Sequence, residues 1–355
     1  MTEQATGSER TGGPAMDPDP SPTPGPSRRP GAGRRGSWAV NRWIGDEAGV
    51  VAVLVLLVVA VSLYNSDFLR TGNLLETTRQ SAYVGILALG MVFALAMREV
   101  DLSVGGSYAL TIVVAAVLMR SGWNPWAAAL AGIAVGASCG LTNGIFVTYT
   151  RVPSFIATLG TLSVYRGLAL AVSDGRQVGG VPQDSSFVTV LGGNVLGGPA
   201  AVWVLVLLAG LLTVVLRRTR FGSQVRAIGS NPEAAVFSGI PVDRVRIKTF
   251  VLTGLCAGVA GVLTTAFFAS GDPTVGIGYE LLAIAACIIG GTPLRGGSGS
   301  VPGAALGSLI LSVVAAALIF FGVPINWTTF ATGTVILGAV AVDALLRHLR
   351  RSRVT

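Results

Sequence analysis

The residues able to do chemistry are few, and their spacing excludes more reactions than it suggests. Glu99 and Asp101 stand two apart in REVDLSVGG (98–106), between two apolar segments. Two carboxylates there could form a proton or cation site. They could equally sit at a water interface, with Asp101 or Ser103 capping the helix that follows, and the cap is the preferred reading. Asp101, Ser103 and Gly105 are the candidates for a translocation or gating motif. Arg166, Glu280 and Asp343 are the other ionisable residues within apolar segments or close to their ends. Cys139, Cys256 and Cys287 lie inside apolar segments, form no Cys-x-x-Cys and make no metal set with the lone His348. They are expected as small buried hydrophobes. No Ser/His/Asp or paired-carboxylate constellation marks an enzyme, so no catalytic residue and no metal ligand is assigned. The stretch GGTPLRGGSGSVPG (290–303) is as glycine-dense as a phosphate loop but lacks the GxxxxGK[ST] order. The only lysine, Lys248, follows Ile247, so the chain holds no Walker A loop. If ATP drives this protein, another subunit binds it.

The elements that must position these residues are organised around a polar stretch, 217–248, with seven basic residues between long apolar segments. At its centre Asn231 is a good N-cap, Pro232 suits the first helical position, and Glu233 faces the positive end of the helix dipole. Gly239, after Ser238, is a C-terminal stop. A helix of about seven residues does not hold in water alone, so something must dock on it.

Composition sets the class. Hydrophobic residues make up 51% and charged residues 12% of the 355-residue chain, and mean hydropathy is +0.68. Soluble domains run near a quarter charged, so this is a polytopic membrane protein. The net charge of +8 does not indicate nucleic acid, because the basic residues sit at segment ends rather than on one face. Residues 1–46 read as a disordered cytoplasmic tail rich in Pro, Gly, Ser and Arg, and 347–355 as a basic cytoplasmic tail. Between them lie ten apolar segments, roughly 47–64, 80–97, 104–120, 127–148, 154–173, 200–216, 249–268, 279–291, 300–321 and 326–346. The eighth is short and glycine-bounded, and is expected to be re-entrant or broken. With the N-terminus inside, twenty basic residues fall on inner segments and four on outer ones. The excess predicts an all-α bundle with both termini in the cytoplasm. Gly132, Gly136, Gly140 and Gly144 are four apart and share one helix face, where a neighbouring backbone can approach closely. Gly254/Gly258 and Gly303/Gly307 repeat the spacing.

Four ordered stretches carry a resemblance: GMVFALAMREVDLSVGG (90–106), GLTNGIFVTYTRVPSFIATLGTLSVYRGLAL (140–170), AIGSNPEAAVFSGIPVDRVR (227–246) and GYELLAIAACIIGGTPLRGGSGSVPGAALG (278–307). Together the chain resembles the permease subunit of ATP-binding-cassette importers of the ribose, xylose, arabinose and autoinducer-2 class, from about 47 to 346. The resemblance implies a permease homodimer or heterodimer in the lipid bilayer, cassette ATPase subunits carrying the ATP and Mg, and an extracytoplasmic sugar-binding protein. No cofactor is expected in this chain. The family's coupling element maps onto 217–248, where Gly229, Asn231, Glu233, Ala234, Ala235, Ser238, Gly239 and Ile240 match its pattern. One departure stands out: the family often has Gly-Gly-Ile before Asp-Leu-Ser-Val-Gly, and here Arg98, Glu99 and Val100 take those places. The rival expectation is an ion-coupled secondary transporter of a small polar solute, against which the scarcity of intramembrane carboxylates and histidines weighs.

Overall fold

The computed structural model describes residues 37–324 and, beyond them, 327, 330, 333, 334, 337 and 338. Most of the expected N-terminal tail, most of the tenth segment, the tail at 347–355, Asp343 and His348 lie outside the described residues. The chain divides into two compact units, 1–42 and 43–355. Of the first, 37–42 are described and helical.

The described residues form eleven α-helices: α1 Ser37–Tyr64, α2 Thr71–Ala96, α3 Val104–Arg120, α4 Pro125–Thr150, α5 Ser154–Val172, α6 Ala200–Arg218, α7 Arg220–Ser230, α8 Pro232–Phe237, α9 Val242–Phe268, α10 Tyr279–Ile289 and α11 Val301–Phe320. Six of them, α2, α4, α5, α6, α9 and α11, are long and apolar enough to cross a bilayer. The chain is thus a mostly helical, multi-pass membrane protein. α10 has 11 residues, about 16 Å of rise against the roughly 30 Å of a hydrocarbon core. Two expected boundaries need correction. The tail was expected to run to residue 46; among the described residues, 37–46 are helical and belong to α1. The segment expected to open at residue 80 begins at Thr71, where polar Asn73, Glu76, Thr77 and Thr78 extend the helix past its apolar part.

Side-chain caps set four of the helix starts, those of α4, α7, α8 and α11. The Asn124 side chain accepts from the amides of Trp126 and Ala127 while Pro125 opens α4. Ser300 does the same for the amide of Gly303 at the start of α11, and Thr219 for the amide of Gly222 in α7. α2 is apolar on every side from Ala82 to Ala96 and is buried along that whole length, as such a helix must be. α11, α9, α10 and α6 surround it. α9 also packs on α3 and α4, and α3 on α4 and α5.

The glycines explain how α9 reaches so many neighbours. A Cβ on Gly136 would fall 2.6 Å from the Gly254 carbonyl oxygen and 2.8 Å from the Gly258 Cα. One on Gly144 would fall 2.9 Å from the Ile247 Cα, and one on Gly140 would overlap the Phe250 carbonyl. Gly132 meets Ala115, Thr111 and Val262 at 3.3 to 3.4 Å. The stripe on α4 therefore lies directly on the α9 backbone. Gly303 and Gly307 face Gly290 and the Ala286 carbonyl in the same way, holding α10 against α11. Replacing Gly140 by Ala is expected to cost about 2 kcal/mol or more by overpacking. Gly160→Ala, on the open face of α5 with nothing within 4 Å, is expected to be neutral or to stabilise by about 0.5–1 kcal/mol. Melting temperatures of the two variants in detergent check the contrast.

Candidate functional site

Two groups of residues gather at the end of the bundle where α2 hands over to α3. The first is a buried polar network. Asp101 lies in the α2–α3 connection and is 1% exposed. Its Oδ1 accepts from the Ser103 amide at 3.0 Å and the Ser103 hydroxyl at 2.7 Å, and its Oδ2 accepts from the Thr253 hydroxyl of α9. The Asn143 amide of α4 donates to Ser103 Oγ at 2.5 Å. The Tyr165 hydroxyl of α5 is 3.0 Å from both Asn143 Oδ1 and the Cys139 carbonyl oxygen. Protons along this chain point toward Asp101 from both sides, so a carboxylate there is held by charge-assisted bonds away from water. α5 also serves the connection: Ser154 Oγ accepts from the Val100 amide and Thr158 Oγ1 from the Leu102 amide.

The preferred sequence reading was a helix cap, and the geometry modifies it. Ser103 occupies the N-cap position of α3 but makes no capping bond with its side chain. Asp101 caps the turn just before the helix through the Ser103 amide and hydroxyl, and its other oxygen takes the tertiary bond from Thr253. Gly105 stands one turn further on. Its carbonyl accepts from Arg166 Nη2 at 3.2 Å, and a Cβ there would overlap Glu280 Oε2. Arg166 also reaches the carbonyls of Pro273 and Gly276 at 3.4 and 3.3 Å. Glu280 Oε2 is buried without a hydrogen-bond partner among the described residues. Cys139, Cys256 and Cys287 are buried and unpaired.

The second group is the capped helix itself. Asn231 Oδ1 accepts from the Ala234 amide at 3.1 Å, and Pro232 opens α8. The Ser238 hydroxyl donates to the Ala234 carbonyl at 2.8 Å, Gly239 takes φ +75°, and the Ile240 amide returns to the Ala235 carbonyl at 3.1 Å. Of the six helical residues only Ala235 is buried; Glu233 and Ala234 face outward. Val236 is 60% and Phe237 92% exposed. Gly229, at the end of α7, lies so close to the Ala96 carbonyl and the Gly297 amide that no side chain fits there.

Asn143, Tyr165 and Thr253 escaped the sequence reading. Their signal was a polar side chain inside an apolar segment, which alone does not reveal a partner 40 or 152 positions away. α7 escaped as well, although Phe221, Val225 and Ile228 repeat at helical spacing.

An apolar helical bundle with a buried polar seam and a short helix presented outward defines the architecture of a multi-pass membrane protein. A family model described as "Branched-chain amino acid transport system / permease component" matches residues 73–340. The ribose import permease RbsC of Bacillus subtilis is 39% identical over 290 residues, which is 82% of this chain and 90% of the relative. The L-arabinose ABC transporter permease AraH of Azospirillum brasilense is 35% identical over 320 residues, 90% of this chain and 92% of the relative. The D-allose transport system permease AlsC of Escherichia coli K12 is 36% identical over 303 residues, 85% and 92%. The chain belongs to this permease family; it is a transport subunit and not an enzyme.

Asp101→Ala would strand the Ser103 amide and hydroxyl, at an expected cost of about 1–3 kcal/mol. Asp101→Asn keeps one oxygen for the Ser103 amide and hydroxyl and can donate its amide to Thr253 Oγ1, so it is expected to cost less than Asp101→Ala. Unfolding in detergent measures both. Were Asp101 a proton or cation site, Asn would instead abolish uptake while leaving the melting temperature in place.

Proposed function

We propose that this chain is the membrane-spanning permease of an ATP-driven monosaccharide importer in a bacterial cytoplasmic membrane, moving a pentose or related sugar inward by alternating access. The single observation that carries this reading is its 35–39% identity, over most of each chain, to permeases named for ribose, L-arabinose and D-allose. The family description names branched-chain amino acids, but none of these relatives does. An ABC transporter permease stands among them, which favours ATP over an ion gradient.

In this reading the α8 end of the bundle is cytoplasmic, both termini are inside, and ten segments cross or enter the membrane. The basic excess on the α8 side supports that orientation. A cassette ATPase, carrying the ATP and Mg, grips α8 on its outward face, where Phe237 and Val236 are uncovered. The permease works as a homodimer or heterodimer, and an extracytoplasmic binding protein delivers the sugar. Closure of the ATPase pair pushes α8. Because α8 leads into α9 through only Ser238–Pro241, the push travels along the helix that touches α2, α3 and α4. No bond in the sugar is made or broken; the chain supplies a path and the lever that opens it.

Phe237→Asp is expected to reduce the ATPase that co-purifies with the permease by about tenfold or more, as removal of a central aromatic anchor does. Glu233→Arg, which reverses charge in the first turn of α8, is expected to uncouple ATP hydrolysis from sugar uptake. Normal uptake by both variants at normal expression would overturn the docking role of α8.

A further inference from the structure

The place where the family often carries glycine is, in this chain, an arginine in a glycine conformation. Arg98 has φ +66°, a left-handed backbone that costs a non-glycine residue about 1–2 kcal/mol. Strain of this kind persists where the surroundings hold it, and here the side chain is held twice. Arg98 Nε donates to the Arg295 carbonyl at 2.7 Å, and Nη2 donates to the Ser230 carbonyl at 2.9 Å. Arg295 belongs to the α10–α11 connection, and Ser230 is the last residue of α7, directly ahead of the Asn231 cap of α8. Two backbone contacts tighten the same junction. The Gly297 amide donates to the Ala96 carbonyl at 2.8 Å, and Gly229 fits against both. Glu99 then binds the other side of α8: its Oε1 accepts from Arg246 Nε at 2.7 Å, with the two side chains 14% and 24% exposed. Arg246 lies in the second turn of α9 and also approaches Asp243 at 3.7 Å. Two consecutive residues of the α2–α3 connection thus grip the end of α7, just before α8, and the second turn of α9, which follows it. Two residues beyond Glu99 the same connection carries Asp101, bonded to α9 and, through Ser103 and Asn143, to α4.

We infer that Arg98 and Glu99 are positioning residues that tie both flanks of α8 to the Asp101 network, so that displacement of α8 moves the α2–α3 connection and the bundle interior with it. This rests on the reading of α8 as the ATPase-docking helix. A glycine pair in the same place would leave only the backbone contacts at Ala96 to carry the connection along when α8 moves. The two residues act on transport through the elements they hold and do not touch sugar or nucleotide.

The test uses the full permease with its cassette ATPase and binding protein in proteoliposomes, and reads labelled sugar imported per ATP hydrolysed, with D-ribose, L-arabinose and D-allose as probes. Arg98→Gly relieves the backbone and removes only the side-chain bonds, so assembly and melting temperature are expected to hold while the ratio falls about fivefold or more, the scale of a typical coupling between sites. Glu99→Arg and Arg246→Glu are each expected to lower the ratio similarly, and the double exchange to restore it to within about twofold. An unchanged ratio in Arg98→Gly overturns the inference. So does a double exchange no better than its parents, or a lowered ratio that appears only together with lost assembly. Phe237→Asp, run alongside, separates the two levels. If it still binds ATPase and imports sugar, the docking reading has failed; if it loses the ATPase while Arg98→Gly couples normally, only the positioning role has.

Discussion

Between α4 and α9 two backbones meet with almost no side chain between them, and that contact governs where the other helices can stand. In a bilayer, apolar side chains gain little by leaving lipid for one another, so association depends on close packing and on polar bonds across helices. Glycines at four-residue intervals on α4 and the matching pair on α9 give the closest approach two helices can make. With its α4 side so thin, α9 can present its other faces to α2 and α3. The bundle has a dense centre of α2, α3 and α9, and a perimeter of helices such as α5 and α6 whose outer faces remain largely apolar and uncovered.

The polar seam uses that same closeness. Asp101, Ser103, Asn143, Thr253 and Tyr165 come from the α2–α3 connection and from α4, α9 and α5. Each is a liability in an apolar medium unless its partner is present, since stranding a buried donor or acceptor costs more than the bond gains. The network therefore specifies one mutual placement of four segments. It lies where the connection that also touches both flanks of α8 enters the bundle, so an exposed helix and a buried polar network are joined through one short connection.

How much of this could be read in advance depended on range. Long apolar runs announce helices, so α3, α5, α6 and α11 begin and end within a few residues of their expected limits. The Asn231–Pro232 start and Gly239 stop of α8 were legible because caps are local chemistry. So was the α4 glycine stripe, because its spacing is its meaning. The bond from Thr253 to Asp101 was not legible, because nothing near Thr253 says which of many neighbours it faces. α7 was hidden because its polar residues resemble a loop until Phe221 is seen stacked on Phe93, 5.9 Å between ring centres. A short hairpin pairing Asn194–Val195 with Gly198–Pro199 was hidden because Leu196 and Gly197 at its tip both take positive φ, and only the glycine advertises that. Arg98 was conspicuous as a departure, but its partners at the end of α7 and on the α10–α11 connection emerged only in the folded chain.

The small footprint of α8 on its own protein has an evolutionary consequence. A single alanine side chain seats it, and the caps that end it are drawn from its own few residues. Its outward positions are thus relieved of any duty to the bundle and can drift with whatever they dock against. If α8 docks the ATPase as proposed, a duplicated permease could change allegiance from one motor to another by altering a few of these positions while its buried interior stayed as it was. Conversely, one motor could serve several permeases whose interiors have diverged, provided that this one turn of helix stayed recognisable.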